Sequence, residues 1–268
     1  MLEARSASTQ QPPVMPLYTT DAIILRTYKL GEVDRIVVFL TRDRGKRRGV
    51  AQGARRMRSR FGGALEPLTR VGLTYFEKES RDLVSLNYAE PISSPLMSIG
   101  SDALGYAGYF AELIDEWAQE ADPNETLYRL GSAMVDALVA GASVEPLARY
   151  FEYWLLRLQG LYPSVLACAT CGASLGRDEA TAAVLMPGDH QYLCGGCARG
   201  RAGSFVALSA ESLAFLRAAG TTSPGRIGAA TVSERALREL EAVHRALIAT
   251  HLEKEIKSMR VLREIRGH

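Results

Sequence analysis

All four cysteines of this 268-residue chain fall in two pairs, Cys168-Ala-Thr-Cys171 and Cys194-Gly-Gly-Cys197, separated by twenty-two residues. Two thiolates three positions apart can grip one ion, and two such pairs complete a four-sulfur shell. A shell of four sulfurs leaves no position for water, which points to structural rather than hydrolytic zinc. Iron, a pair of disulfides and four free thiols are the competing chemistries. His190 lies four residues before Cys194 and is expected on a loop, since the tetrahedral set is complete without it.

The second concentration of chemistry is charge. The formal net charge is only +2, yet residues 42–60 carry nine Arg or Lys against the single acid Asp43. A run that repels itself so strongly is placed where a polyanion can neutralise it, and arginine adds a planar fork for phosphate and a face for stacking. A phosphate backbone is the expected partner, with an anionic lipid, an acidic protein and a merely solvated loop as alternatives. Residues 102–152 have the opposite balance, ten acids against two arginines. Such asymmetry lets one part hold nucleic acid while another repels it and receives a basic partner.

No catalytic constellation accompanies these features. Gly45-Lys46 resembles the end of a phosphate-binding loop, but Leu40 stands where its first glycine belongs and Arg47 replaces the Ser/Thr. There is no HExxH motif, and no His-x-Glu stands ahead of the cysteine pairs as the zinc deaminases require. Asp34, Asp43, Glu66 and Glu77 form no recognisable two-metal cluster. Binding without covalent chemistry is the expected class. No apolar stretch approaches the roughly 18 residues needed to cross a bilayer. Residues 1–16 lack a secretory core and are expected as a polar arm, with Met15 a second candidate start and the cytoplasm the expected compartment.

These groups need elements to hold them. Alternation of Val71, Leu73 and Tyr75, and of Val84, Leu86 and Tyr88, marks half-buried strands over 69–76 and 82–88. With strands over 23–28, 35–40 and 47–52 they make five, enough for a small barrel, with an SH3-like barrel as the competitor. Phe61 either stacks a base or anchors its loop, while Tyr75 and Tyr88 are expected on strands. Helices are expected over 102–120, from Asp122-Pro123-Asn124-Glu125 to Val139, after Ser143, after Ser209, and from Ser233 onward. The last is expected to run on through Ile256 and Met259 and to carry Lys254, Lys257, Arg260, Arg263 and Arg266; residues 220–228 are expected as a loop.

In combination, Gly31-Glu-x-Asp34-Arg35, Gly45-Lys46, Gly53-Ala-Arg55-Arg56 and Ser59-Arg60-Phe61-Gly62-Gly63-x-Leu65-Glu66-Pro67 strongly resemble the bacterial recombination mediator family RecO. Gly160-Leu-Tyr-Pro163, the cysteine pairs and the late Lys257-Ser258 with Arg260 continue the likeness, here to zinc-bearing members. The resemblance implies an α+β chain: an arm over 1–16, a five-stranded OB-fold barrel over 17–95, a helical domain over 96–167 and 201–268, and a zinc-finger insert over 168–200. It implies binding to single- and double-stranded DNA, strand annealing, partnership with RecR and single-strand-binding protein, and a link to RecF and RecA. The nucleoid is then the working location during repair. Carried onto this chain, Lys46, Arg55, Arg56 and Arg60 are the leading DNA contacts, with Arg35, Arg47, Arg48 and Arg58 secondary. Cys168, Cys171, Cys194 and Cys197 hold one structural Zn2+. The alternative is a zinc-containing RNA-binding or ribosome-associated protein.

Overall fold

The computed structural model describes residues 16–78, 82–97, 101–176, 183–252 and 256–266; of 101–103 and 263–266 only the backbone is described. All of the expected arm over 1–16 except Pro16, together with Lys254 and the side chains of Arg263 and Arg266, lies outside the described residues.

Five strands open the chain: β1 (Leu17–Leu30), β2 (Asp34–Thr41), β3 (Gly45–Ala51), β4 (Arg70–Phe76) and β5 (Val84–Ser93). Residues Ala22, Ile23, Ile24 and Leu25 are all buried because both faces of β1 are covered. Ala22 and Ile24 point into the sheet's own core with Val37, Phe39, Leu73 and Tyr75. Ile23 and Leu25 join Val38 and Leu40 in a second core shared with the helices. Successive side chains alternate faces in a strand, so one apolar run serves two cores.

The pairing order closes on itself, β1-β2-β3-β5-β4 and back to β1. The fold class expected from sequence nevertheless needs correction on two points. β3 and β5 meet in parallel through only two residue pairs, Gly49–Val84 and Val50–Ser85, and register shifts interrupt β1 and the β4–β5 ladder. The five strands close through this thin, irregular seam, and to that extent the sheet departs from the five-stranded OB-fold barrel that was expected. Nor is the rest of the chain helical apart from the cysteine insert. It contains a second sheet, ordered β7-β6-β8, from β6 (Ala183–Met186), β7 (Gln191–Leu193) and β8 (Val206–Leu208). β8 lies beyond the expected insert, and its three residues gave too short a period to be seen.

The helical region comprises α1 (Ser101–Trp117), α2 (Glu125–Val139), α3 (Val144–Leu158), α4 (Gly195–Ala198), α5 (Ala210–Ala219), α6 (Pro224–Gly228), α7 (Glu234–Leu252) and α8 (Lys257–Arg266). α2 starts later than expected: Asn124, not Asp122, caps it, its Oδ1 accepting from the Leu127 N–H at 2.9 Å. α6 occupies the expected loop. The expected last helix is two, since α7 ends at Leu252 and α8 begins at Lys257, its first N–H groups donating to the Glu112 carboxylate.

α1 and the turn after it are bound to β3. The Lys46 N–H donates to Gln119 O at 3.3 Å, and the Ala121 N–H donates to Lys46 O at 2.9 Å. Gly45 (φ +70°) lets the two backbones touch, because a Cβ there would lie 2.2 Å from Asp122 O.

Candidate nucleic-acid interface and metal centre

The structure splits the basic run into two halves with opposite electrostatic fates. In the strand half, every cation faces an acid. Arg42 meets Glu125 at 3.5 Å, Arg44 meets Asp43 at 3.9 Å, Arg47 meets Glu77 at 2.9 Å and Arg48 meets Glu120 at 2.8 Å. Lys46 is only 9% exposed, and its Nζ donates to Asp115 O at 2.6 Å and Asp115 Oδ1 at 3.2 Å. Arg35 on β2 meets Glu66 at 3.4 Å. Asp115, Glu120 and Glu125 belong to the acidic stretch 102–152, so part of the sequence's charge asymmetry is internal complementarity between sheet and helices.

The loop half is different. Among the described residues, Arg55, Arg56, Arg58 and Arg60 have no carboxylate within ion-pair distance, and all four are exposed. Arg55 donates to the carbonyls of Gly31 and Glu32 at 3.1 and 2.9 Å. Arg60 donates to Leu86 O at 3.4 Å and lies 5.1 Å over the Phe61 ring. Carbonyls hold these guanidinium groups in place without cancelling their charge. Arg56, Arg58 and Arg60, with Val33, Asp34, Gln52, Gly53 and Ser59, line a groove of about 480 Å³.

The loop is tied down at both ends. Phe61 is buried in the sheet's core with Ala64 and Leu65, which resolves its role as an anchor. At the start, the Gly53 N–H donates to Asp34 Oδ1 at 2.7 Å. Asp34, the first residue of β2, therefore fastens this loop. Tyr75 is buried and Tyr88 half exposed, both on strands as expected.

Far along the chain, the four cysteine sulfurs lie within 4.8 Å of one another, and Cys171 Sγ is 3.8 Å from Cys194 Sγ. Zinc–sulfur bonds of about 2.3 Å would set tetrahedral sulfurs roughly 3.8 Å apart. The donor set and its spacing fit one such ion, and the four thiols are unbridged. The first pair sits on a turn in which the Gly172 N–H donates to Cys168 O at 2.9 Å and the Cys168 N–H to Ala173 O at 2.8 Å. In the second, Cys194 follows β7 directly and Cys197 rides on α4. The Ala169 N–H donates to Tyr192 O at 3.0 Å and joins the two halves.

Burial pushes the Cys168 thiol up, but backbone N–H groups of Cys171, Cys194 and Thr170 outweigh it and bring the thiol down to about 6. The backbone at Cys197 lowers Cys194, whereas Cys171 and Cys194 push Cys197 up to about 12. Four adjacent sulfurs cannot all be anionic without a cation between them.

A buried polar chain braces this cluster against the helices. Tyr192 OH donates to Tyr162 OH at 3.3 Å, and Tyr162 OH lies 3.0 Å from His244 Nε2. His244 Nδ1 lies 2.8 Å from Glu152 Oε2, and Glu152 also meets Tyr109 OH at 2.7 Å and Arg149 at 3.0 Å. Burial lowers His244 below its ordinary value, so it is neutral, donates from Nδ1 to Glu152 and accepts at Nε2. Burial raises Glu152, but Arg149, His244 and Tyr109 outweigh it and keep the carboxyl below its usual range.

Comparison with known sequences joins the two sites to one lineage. Residues 15–95 match the family described as "Recombination protein O N terminal", and residues 101–260 match "Recombination protein O C terminal". The chain belongs to the RecO family. A DNA repair protein RecO of Geobacter metallireducens is 36% identical over 247 residues, covering 92% of this chain and 97% of that protein. That of Bifidobacterium adolescentis is 35% identical over 253 residues, covering 92% and 100%. That of Koribacter versatilis is 40% identical over 160 residues, covering 59% of this chain and 65% of the relative. RecO proteins are non-catalytic, DNA-binding mediators of recombination that act with RecR in RecF-pathway repair, which selects the first of the two functional readings of the sequence. Among the described residues, no helix is long and apolar enough to cross a membrane.

Proposed function

We propose that this chain anneals complementary DNA strands on the loop of residues 53–63 and assists RecA loading on DNA coated by single-strand-binding protein, with RecR, at the nucleoid. The observation that carries this reading is the unpaired charge of Arg55, Arg56, Arg58 and Arg60 beside a strand half already neutralised by acids. Arg35, Arg47 and Arg48 are secondary and contribute little, because DNA reaches them only by displacing Glu66, Glu77 and Glu120. Lys46, held by Asp115, ties sheet to helix. Residues 17–95 act as the DNA-binding part, 96–167 and 201–268 as the helical part, and 168–200 as its metal-braced insert.

The mechanism is electrostatic. Two complementary strands repel through their phosphates, and a cationic loop lowers that repulsion while leaving base edges open for pairing. Base pairing supplies the driving free energy, without a nucleotide fuel. Cys168, Cys171, Cys194 and Cys197 would hold one zinc ion as a closed structural site, which supplies a cross-link between the two turns. The Tyr192–Tyr162–His244–Glu152 chain fixes the orientation of those turns on α3 and α7.

The test is annealing of complementary oligonucleotides, bare and coated by single-strand-binding protein. Replacing Arg56, Arg58 and Arg60 together by alanine is expected to abolish the acceleration on both substrates. Undiminished annealing by that variant refutes the assignment of the loop.

A further inference from the structure

Met57 stands between Arg56 and Arg58 with a relative exposure of 102%, so its side chain touches nothing else in the protein. The next most exposed large apolar residues among the described ones, Leu166 and Phe205, reach only 65%. Isolated apolar residues on a surface are ordinary, and exposure alone would carry nothing. Two further observations set Met57 apart. Neither neighbouring arginine has an acidic partner among the described residues, so the thioether is framed by two charges open to phosphate. The loop is also pinned on both sides, by Gly53 on Asp34 and by buried Phe61, so its tip is presented rather than collapsed onto the sheet.

A strand whose phosphates are held by Arg56 and Arg58 offers one apolar surface to the residue between them, the faces of its bases. An unbranched, polarizable thioether suits that surface, and methionine is among the side chains that proteins insert between base steps. We infer that Met57 is a base-inserting residue, entering between two neighbouring bases of the strand that the flanking arginines hold. It unstacks that step and leaves both base edges free for a complementary strand. This inference rests on the loop being the DNA face.

The experiment uses the full chain and a single-stranded oligonucleotide carrying 2-aminopurine, a base analogue that brightens when unstacked. Titration with the unaltered protein is expected to raise the fluorescence. Met57→Ala is expected to lose most of that rise and to bind roughly fourfold more weakly, the effect of withdrawing the equivalent of about one buried methylene group from the base faces. Its salt dependence stays unchanged, because no phosphate is released, and Met57→Leu retains the rise. Arg56→Ala serves as the contrast and lowers the slope of log affinity against log salt by about 0.7. Met57→Ala matching the unaltered protein in fluorescence and affinity, with Arg56→Ala still lowering the slope, overturns base insertion but leaves the DNA face standing. Unchanged slopes in both Arg56→Ala and Arg58→Ala overturn the face and the insertion together. A changed slope in Met57→Ala also overturns insertion, since it would mean that the substitution moves the arginines.

Discussion

Lys46→Met separates a DNA contact from a structural tie at the position where the family resemblance favours the former and the structure the latter. The ammonium makes two bonds to Asp115, one to the backbone carbonyl at 2.6 Å and one to the carboxylate at 3.2 Å. Both side chains are almost out of solvent, at 11% and 13% exposure, so water screens the pair weakly. Removing one partner of a buried ion pair costs about 3–5 kcal/mol when the other is left stranded. Asp115 is not stranded, because Arg26 remains 3.2 Å from its other oxygen. The loss is then closer to one charge-assisted hydrogen bond, about 2–3 kcal/mol. Chemical denaturation should show that decrease, and thermal unfolding a fall of several degrees, at roughly 2–4 °C per kcal/mol for chains near this size. Single-strand affinity at low salt and its salt slope should match the unaltered protein. Unchanged stability with a slope lowered by about 0.7, the value for one phosphate released, would refute the reasoning.

Other consequences concern the metal cluster, the buried chain and the sheet's seam. Cys171→Ser should abolish stoichiometric zinc by elemental analysis and strip hydrogen-exchange protection from the β6–β7 hairpin; one zinc per chain retained by that variant contradicts the four-sulfur assignment. His244 and Glu152 both have lowered values in the fold, so both bind protons more readily when unfolded. Their stabilisation is present above their ordinary values of about 6.5 and about 4.3, and is lost as pH falls through the lower folded values. Urea denaturation should give a smaller unfolding free energy near pH 5.5 than near pH 7.5, and equal values would count against the chain as drawn. Gly49→Ala would set its Cβ 2.1 Å from Leu86 Cδ1 and 2.8 Å from Val84 Cγ2, where β3 and β5 share only two pairs. A destabilisation of about 1–3 kcal/mol is expected, and an unfolding midpoint equal to the unaltered protein's would show that the seam yields freely.

Much of this was legible in local pattern. Period-two alternation located β4 and β5, and the paired cysteines marked the four-sulfur cluster, because both signals live within a few residues. Ser209 capped α5 as its sequence indicated, its hydroxyl accepting from the Ser212 N–H. What failed to show was set by residues distant along the chain. Nothing near Lys46 in sequence announces Asp115, so a buried cation looked the same as its exposed neighbours. Likewise, the pairing of Lys46 and Arg48 depends on α1 and its following turn crossing β3. The extra strand β8 is too short for a period, and its existence depends on pairing with β6. Met57 had no sequence signal, since only its exposure distinguishes it from a core methionine.

The most direct measurement is the salt dependence of single-strand affinity for two double variants, Arg56→Ala with Arg58→Ala and Arg47→Ala with Arg48→Ala. If the unpaired loop is the DNA face, the first pair lowers the slope by about 1.4, two phosphates at about 0.7 each, and the second leaves it nearly unchanged. A slope that falls for the strand pair and holds for the loop pair would contradict the account.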